Sequence, residues 1–185
     1  MLALLFDTET NGLIDNRALR LDKQPEIFEW YSCLVDLSVD QPGAPGMGTL
    51  VEELEFMCKP KRKLLKEVIN VTGVTDEMLA DKLPFSNYAD QVRAALAKPQ
   101  ATIGHNINHD VECTEIEFER LGQRIEWRGK ICTVEATVYL KGYRLKLMQL
   151  YELLFGEPFA DAHRARNDVQ ALRRVTVELY RRDML

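Results

Sequence analysis

Leu2-Ala3-Leu4-Leu5-Phe6-Asp7-Thr8-Glu9-Thr10-Asn11-Gly12-Leu13 is the stretch from which the rest of the chain is best read. Leu2 to Phe6 is an unbroken apolar run, the pattern of a strand buried on both faces, and Asn11-Gly12 marks the turn that follows it. Side chains alternate along a strand, so Asp7 and Glu9, two positions apart at its end, point to the same side. Two carboxylates held together beside an apolar strand repel each other unless a cation offsets their charge, and an oxygen-only pair suits Mg²⁺ or Mn²⁺. Taken alone, Asp-x-Glu is better explained as a solvated strand end. It needs partners from elsewhere in the chain.

Working outward, Ile27 to Val39 is rich in aromatic and β-branched residues and Leu50 to Cys58 partly alternates. Between them Gln41-Pro42-Gly43-Ala44-Pro45-Gly46-Met47-Gly48 is dense in turn formers, which predicts a hairpin. From about residue 60 the pattern becomes helical, first around Thr75 to Leu79 and then from Phe85 to Ala97, between Pro84 and Pro99. Ala101 to Gly104 reads as a short buried strand. Val111, Thr114, Phe118 and Leu121 recur at helical spacing, with a start near Asn108 to Asp110 and Gly122 placed to end the helix. Another strand is expected near Lys130 to Thr133, then helices over Val134 to Leu140 and Leu145 to Phe155. In the last helix Asn167 is the expected N-cap, Gln170 its capping-box partner, and Val169, Leu172, Val175 and Leu179 the apolar stripe. Early strands followed by interleaved helices predict an α/β fold, a mixed sheet with helices on its faces.

Length and composition set the outer limits. The chain has 185 residues, 46% hydrophobic and 29% charged, room for a single domain over 1–185 and outside the disordered, collagen-like and disulfide-scaffold classes. No apolar stretch approaches the roughly 18 to 20 residues needed to span a bilayer, so no membrane role is expected. The opening apolar residues lack a basic leader and meet Asp7 at once, so they read as a mature start and not as a signal. Cys33, Cys58, Cys113 and Cys132 form no C-x-x-C pair and the three histidines complete no zinc-type spacing, which predicts free thiols in a reducing cytoplasm. A net charge of −5 argues against coating nucleic acid through bulk positive charge. The Lys59 to Lys66 run and the C-terminal arginines read, by themselves, as solvated faces.

Asp-x-Glu finds its partners in His105-Asn106-Ile107-Asn108-His109-Asp110 and His163-Arg164-Ala165-Arg166-Asn167-Asp168, each with Asp five residues after His near an expected helix start. With Asp7-Thr8-Glu9 in front, these blocks have the order and spacing by which the chain resembles the DEDDh (DnaQ-like) 3′→5′ exonucleases, the family of the proofreading epsilon subunit of bacterial DNA polymerase III. The resemblance spans nearly the whole chain. Weaker agreement comes from Gln24-Pro25, from Asn70-Val71-Thr72-Gly73-Val74-Thr75 and from Cys132-Thr133.

The resemblance implies a ribonuclease H-like fold, a central five-stranded mixed sheet flanked by helices. It implies that Asp7, Glu9, Asp110 and Asp168 hold two Mg²⁺ ions, with Mn²⁺ able to substitute, and that His163 is the general base. It also implies that the backbone at Thr10 and the side chain of Leu13 meet the terminal nucleotide, and that His105 and Asn106 line the same substrate-binding cleft. His105 reads equally as a hydrogen-bonded structural histidine, and Leu13 as a turn residue covering the core. His109 stands where relatives commonly carry an aromatic residue. The implied substrates are single-stranded or frayed DNA 3′ ends, hydrolysed to nucleoside 5′-monophosphates. RNA trimming of the ribonuclease T and oligoribonuclease type is the nearest alternative, and a catalytically silent nucleic-acid-binding module the other. A glycosidase reading of the paired carboxylates leaves Asp110, Asp168 and their histidines without a purpose. The chain ends three residues after Arg182, which leaves no long tether, so a polymerase, a repair complex and independent action all stay open as settings.

Overall fold

The computed structural model describes residues 1–16, 20–159 and 163–185. Its strands are β1 (Leu2–Thr10), β2 (Ile27–Asp36), β3 (Thr49–Met57), β4 (Ala101–Gly104) and β5 (Lys130–Cys132). They lie in the order β3-β2-β1-β4-β5. The first three pair antiparallel and the last two run parallel to β1. The helices are α1 (Lys66–Thr72), α2 (Asp76–Leu79), α3 (Ala89–Leu96), α4 (Asn108–Arg120), α5 (Thr133–Lys141), α6 (Leu147–Phe155) and α7 (Ala165–Arg181). This is the α/β, ribonuclease H-like sheet with flanking helices that the resemblance implies.

β1 is the middle strand, and its two faces bury different partners. Ala3 and Leu5 pack with Tyr31, Val35 and Ile103 beneath Val169, Leu172 and Val177 of α7. Leu4 and Phe6 pack on the other side with Trp30, Phe56, Val92, Val111 and Phe118, under α3 and α4. Helices on both faces explain why the run is continuously apolar and not alternating. The same parity places the chemistry. Asp7 and Glu9 continue the row that faces α7, and Thr8 continues the row that faces α4.

Several boundaries differ from expectation. β2 ends at Asp36, not Val39, because the Asp36 carboxylate takes hydrogen bonds from the Ser38 N–H and hydroxyl (3.0 and 2.6 Å) and turns the chain. The stretch from Phe85 to Ala97 divides into a 3₁₀ turn at Phe85–Asn87 and α3. The expected capping box on the last helix is not formed. His163 adopts φ +70°, so the helix begins at Ala165 with Arg164 in the N-cap position and Asn167 already in its first turn. Gln170 is used elsewhere, donating its amide to the Tyr31 hydroxyl (2.7 Å). All four cysteines are free. No helix among the described residues is long and apolar enough to cross a membrane.

The hairpin loop and the C-terminal arginines turn out to be joined. Asp40 accepts hydrogen bonds from the backbone N–H groups of Gly46 and Gly48 (both 2.9 Å) and from Arg181 (2.6 Å). These bonds, the Gly46 N–H first, push its pKa down to about 2. Buried Arg173 donates to the carbonyls of Met47 and Gly48 (2.5 and 3.0 Å). Gly48 sits at φ +61°, and a Cβ there would lie 2.7 Å from the Asp36 carbonyl oxygen and 2.8 Å from a Val35 methyl. Gly48→Ala is therefore expected to cost about 2 to 4 kcal/mol, since both backbone conformation and contact oppose it. Urea unfolding measures this, and a loss under about 0.5 kcal/mol would contradict it.

Candidate active site

At the C-terminal end of β1 an open cleft of about 600 Å³ is lined by Asp7, Glu9, Asp110 and Asp168, with His163, His105, Asn106, Thr10 and Leu13 around them. Every site residue expected from the sequence reaches this one cleft. Asp7, Glu9 and Asp168 each present a carboxylate oxygen within 4.8 Å of the other two. This follows from the parity of β1, because the row facing α7 meets the first turn of that helix, where Asp168 stands.

Asp110 arrives from the other face. Its Oδ1 accepts hydrogen bonds from the Thr8 N–H (3.0 Å) and the Thr8 hydroxyl (2.7 Å), which leaves Oδ2 for the cleft. Thr8 is thus a positioning residue that sequence reasoning missed. The signal was available, since a threonine between two acids must occupy the opposite row.

Burial is the main force on all four acids. It raises Asp7 well above the ordinary carboxylate range, helped by the charges of Asp110 and Glu9. Burial, then the charges of Asp168 and Glu29, takes Glu9 up to about 8. Asp110 rises to about 7 through burial, against the opposing Thr8 bonds, and Asp168 rises for the same cause against the His163 N–H bond. The nearest strong cation relieves Glu9 only as the last of the causes acting on it. Arg164 is committed to Glu29, with its Nε 3.0 Å from Oε2 and its Nη2 3.0 Å from Oε1. Clustered oxygens with an unmet negative charge are the donor set of a hard divalent cation, and these residues fit one.

The histidines divide by their partners. The Nε2 of His105 is 3.0 Å from the Leu145 carbonyl oxygen and its Nδ1 is 2.9 Å from the Thr133 hydroxyl. A carbonyl only accepts, so Nε2 carries a proton, and burial lowers the pKa of the ring. His105 lines the cleft as a support whose ring nitrogens are both taken. Asn106 has φ +65° and accepts a bond from Arg144 (3.0 Å). His109 lies 3.7 Å from the Cys113 sulfur, one helical turn on. His163 is an exposed residue whose N–H donates to Asp168 Oδ2 (3.0 Å).

Two features of the walls were not foreseen. The Glu29–Arg164 pair ties the start of α7 to β2, directly beside Glu9, with which Glu29 is in register. Buried Glu26 accepts from the N–H groups of Lys61 and Arg62 (2.9 and 3.0 Å) and from the Asn11 amide (3.1 Å). That carboxylate fastens the turn after β1 to the segment leading into α1, whose Leu65, Val68 and Val71 form an apolar wall of the cleft together with Leu13, 84% exposed. Part of the basic run after Lys59 is therefore structural. A carboxylate inside Ile27-Phe28-Glu29-Trp30-Tyr31 was visible in the sequence as a buried charge needing a partner, but not which partner.

Comparison with known proteins agrees with this geometry. A family described as Exonuclease matches residues 4–176. PolC-type DNA polymerase III of Staphylococcus aureus is 22% identical over 183 residues, covering 95% of this chain. The chain spans only 11% of that polymerase's length. Exonuclease X in complex with 5′-overhanging duplex DNA superposes with a TM-score of 0.67 at 19% identity, over 99% of this chain and 93% of the other. The nuclease domain of 3′hExo, a DEDDh family member bound to rAMP, gives 0.73 at 13% identity over 98% and 92%. E. coli ExoI in its zinc-bound complex with single-stranded DNA gives 0.73 at 18% identity, over 98% of this chain and 40% of the other. Matched over residues 4–176, the chain belongs to the exonuclease family.

Proposed function

We propose that this chain is a 3′→5′ exonuclease that removes nucleoside 5′-monophosphates from single-stranded or frayed DNA ends, using two Mg²⁺ or Mn²⁺ ions and His163 as general base. The observation that carries the reading is the convergence of Asp7, Glu9 and Asp168 oxygens within 4.8 Å, beside Asp110, in a cleft with an apolar wall. Asp7, Glu9, Asp110 and Asp168 would hold the ions. When bound, the ions favour ionised water as nucleophile and offset charge on the departing 3′ oxygen. The chain's own groups do the rest. His163 takes the proton from the attacking water as the new P–O bond forms and the P–O3′ bond breaks. The wall of Leu13, Leu65 and Val71 receives the terminal base, and the Thr10 backbone lies at the sugar.

Likeness to PolC-type polymerases favours a replication or repair setting, with a polymerase complex as partner. The rAMP carried by the 3′hExo structure favours, as a second reading, action on RNA. Matched DNA and RNA 20-mers labelled at either end, with Mg²⁺, Mn²⁺ or chelator, test all of this together. The expected result is a ladder from the 5′-labelled DNA strand and a single labelled nucleotide from the 3′-labelled one, both abolished by chelator. His163→Ala is expected to lower kcat by about 10² to 10⁴. Release from the 5′ end, or turnover indifferent to chelator, would overturn the proposal, and faster loss of the RNA strand would replace it with the second reading.

A further inference from the structure

The stretch between Glu135 and Glu152 contains no acidic residue in a chain of net charge −5, yet it carries Lys141, Arg144 and Lys146. It also holds two exposed tyrosines, Tyr139 at 88% and Tyr143 at 60%. Tyr31 and Tyr151 are buried, and Tyr88 is stacked on Phe56 with ring centroids 4.1 Å apart. The arginines of α7 behave differently from those here. Arg166, Arg174, Arg181 and Arg182 all spend their charge on Glu or Asp side chains. Lys141 and Lys146 make no ion pair among the described residues, and Arg144 meets only the neutral amide of Asn106.

This stretch is held rigidly to the cleft. The Leu145 carbonyl accepts from His105 Nε2 and Arg144 donates to Asn106 Oδ1, both at 3.0 Å, and His105 and Asn106 line the cleft. Behind it, the buried Thr137 hydroxyl accepts from the Leu145 N–H (3.2 Å) and lies 2.5 Å from the Val134 carbonyl and 3.1 Å from the Tyr143 carbonyl, between which its one proton is shared. Tyr143 is thus an exposed ring on a backbone that is already ordered, which lowers the entropic cost of stacking against it. Cations without acidic partners, interleaved with exposed aromatic rings, match a single strand of nucleic acid: phosphates to the cations and bases to the rings.

We infer that residues 139–146 form a track for single-stranded nucleic acid leading away from the cleft, with Tyr143 as a base-stacking platform and Lys141 and Lys146 as phosphate contacts. The track rests on the exonuclease reading for its purpose, but its binding is measurable without turnover. Fluorescence anisotropy of 5′-fluorescein dT12 and rU12, in EDTA, tests it. Tyr143→Ala is expected to raise Kd about fivefold or more, with Tyr143→Phe restoring it because the ring remains. Lys141→Gln with Lys146→Gln is expected to lower the slope of log Kd against log salt by about one. A greater effect on one oligonucleotide identifies which strand the track prefers. Unchanged Kd and salt slope for these variants, or no binding of either oligonucleotide by the wild type, would overturn the track. Weakened binding by the variants, with no hydrolysis by the wild type in Mn²⁺, would support the track and overturn the nuclease reading instead.

Discussion

Asp7→Asn is expected to reduce nucleotide release by at least about 10³-fold, equivalent to about 4 kcal/mol of barrier, and at the same time to stabilise the metal-free protein. The two effects share one cause. Asp7, Glu9 and Asp168 crowd their oxygens within 4.8 Å while the nearby Arg164 is paired with Glu29, so the arrangement that suits a divalent ion is repulsive without it. The sign of the pH dependence follows from linkage. Burial raises the folded-state pKa of all four acids, to about 8 for Glu9 and about 7 for Asp110. The folded chain therefore holds protons that the unfolded chain has released, and each such group costs up to about 1.4 kcal/mol per pH unit as pH rises from near 4 towards its folded value. Metal-free wild type should be more stable at pH 6 than at pH 8. Asp7→Asn should flatten that slope, and Mn²⁺ should raise Tm more at pH 8 than at pH 6 in the wild type and less in the variant. Urea titrations in EDTA at both pH values, repeated with Mn²⁺, measure every part. A variant as steep in pH as the wild type would refute this account of the cluster.

The second large effect concerns the pair that no motif marks. Glu29 is 2% exposed and Arg164 is 39% exposed, so their removal is not symmetric. Arg164→Gln strands a buried carboxylate next to Glu9 and is expected to cost about 3 kcal/mol, within the range for breaking a buried ion pair. Glu29→Gln leaves an arginine that can reach water and removes one charge from the acidic cluster, so about 1 kcal/mol is expected. Arg164 immediately follows His163, whose N–H holds Asp168, so Arg164→Gln should also lower kcat. Combining the two changes should recover much of the stability lost in Arg164→Gln, as expected for residues in contact. Equal costs for the two single variants would contradict the asymmetry, and strict additivity would show that Glu29 and Arg164 act independently.

These two cases show where the sequence is legible. The acids of the cleft could be read because their spacing carries geometry: Asp7 and Glu9 share a strand face by alternation, and an Asp near the start of a helix projects from its first turn. His163 was read from the resemblance, in which a histidine stands five residues ahead of Asp168. Thr8, Glu26, Glu29 and Arg164 could be suspected only as polar residues in apolar or acidic company. What each one bonds to lies across the fold: Thr8 to Asp110 over 102 positions and Arg164 to Glu29 over 135. The N-cap of α7 was misread for a related reason. Asn167 has the right side chain for a cap, but the turn at His163 starts the helix at Ala165, and local preference yields to the turn.

By itself, then, the amino-acid order carried most of the strand and helix pattern and the α/β class, because period and spacing are local properties of a chain, while the grouping of four acids with His163 came from the resemblance of three ordered blocks to a known family. Only the tertiary structure decided that α7 covers one face of β1 and α4 the other. That arrangement brings Asp168 to Asp7 and Glu9, holds Asp110 through Thr8, occupies both nitrogens of His105, and leaves Tyr143 outside on a fixed loop. Hydrogen bonds and ion pairs between distant residues depend on where packing brings them, and no spacing along the chain encodes that.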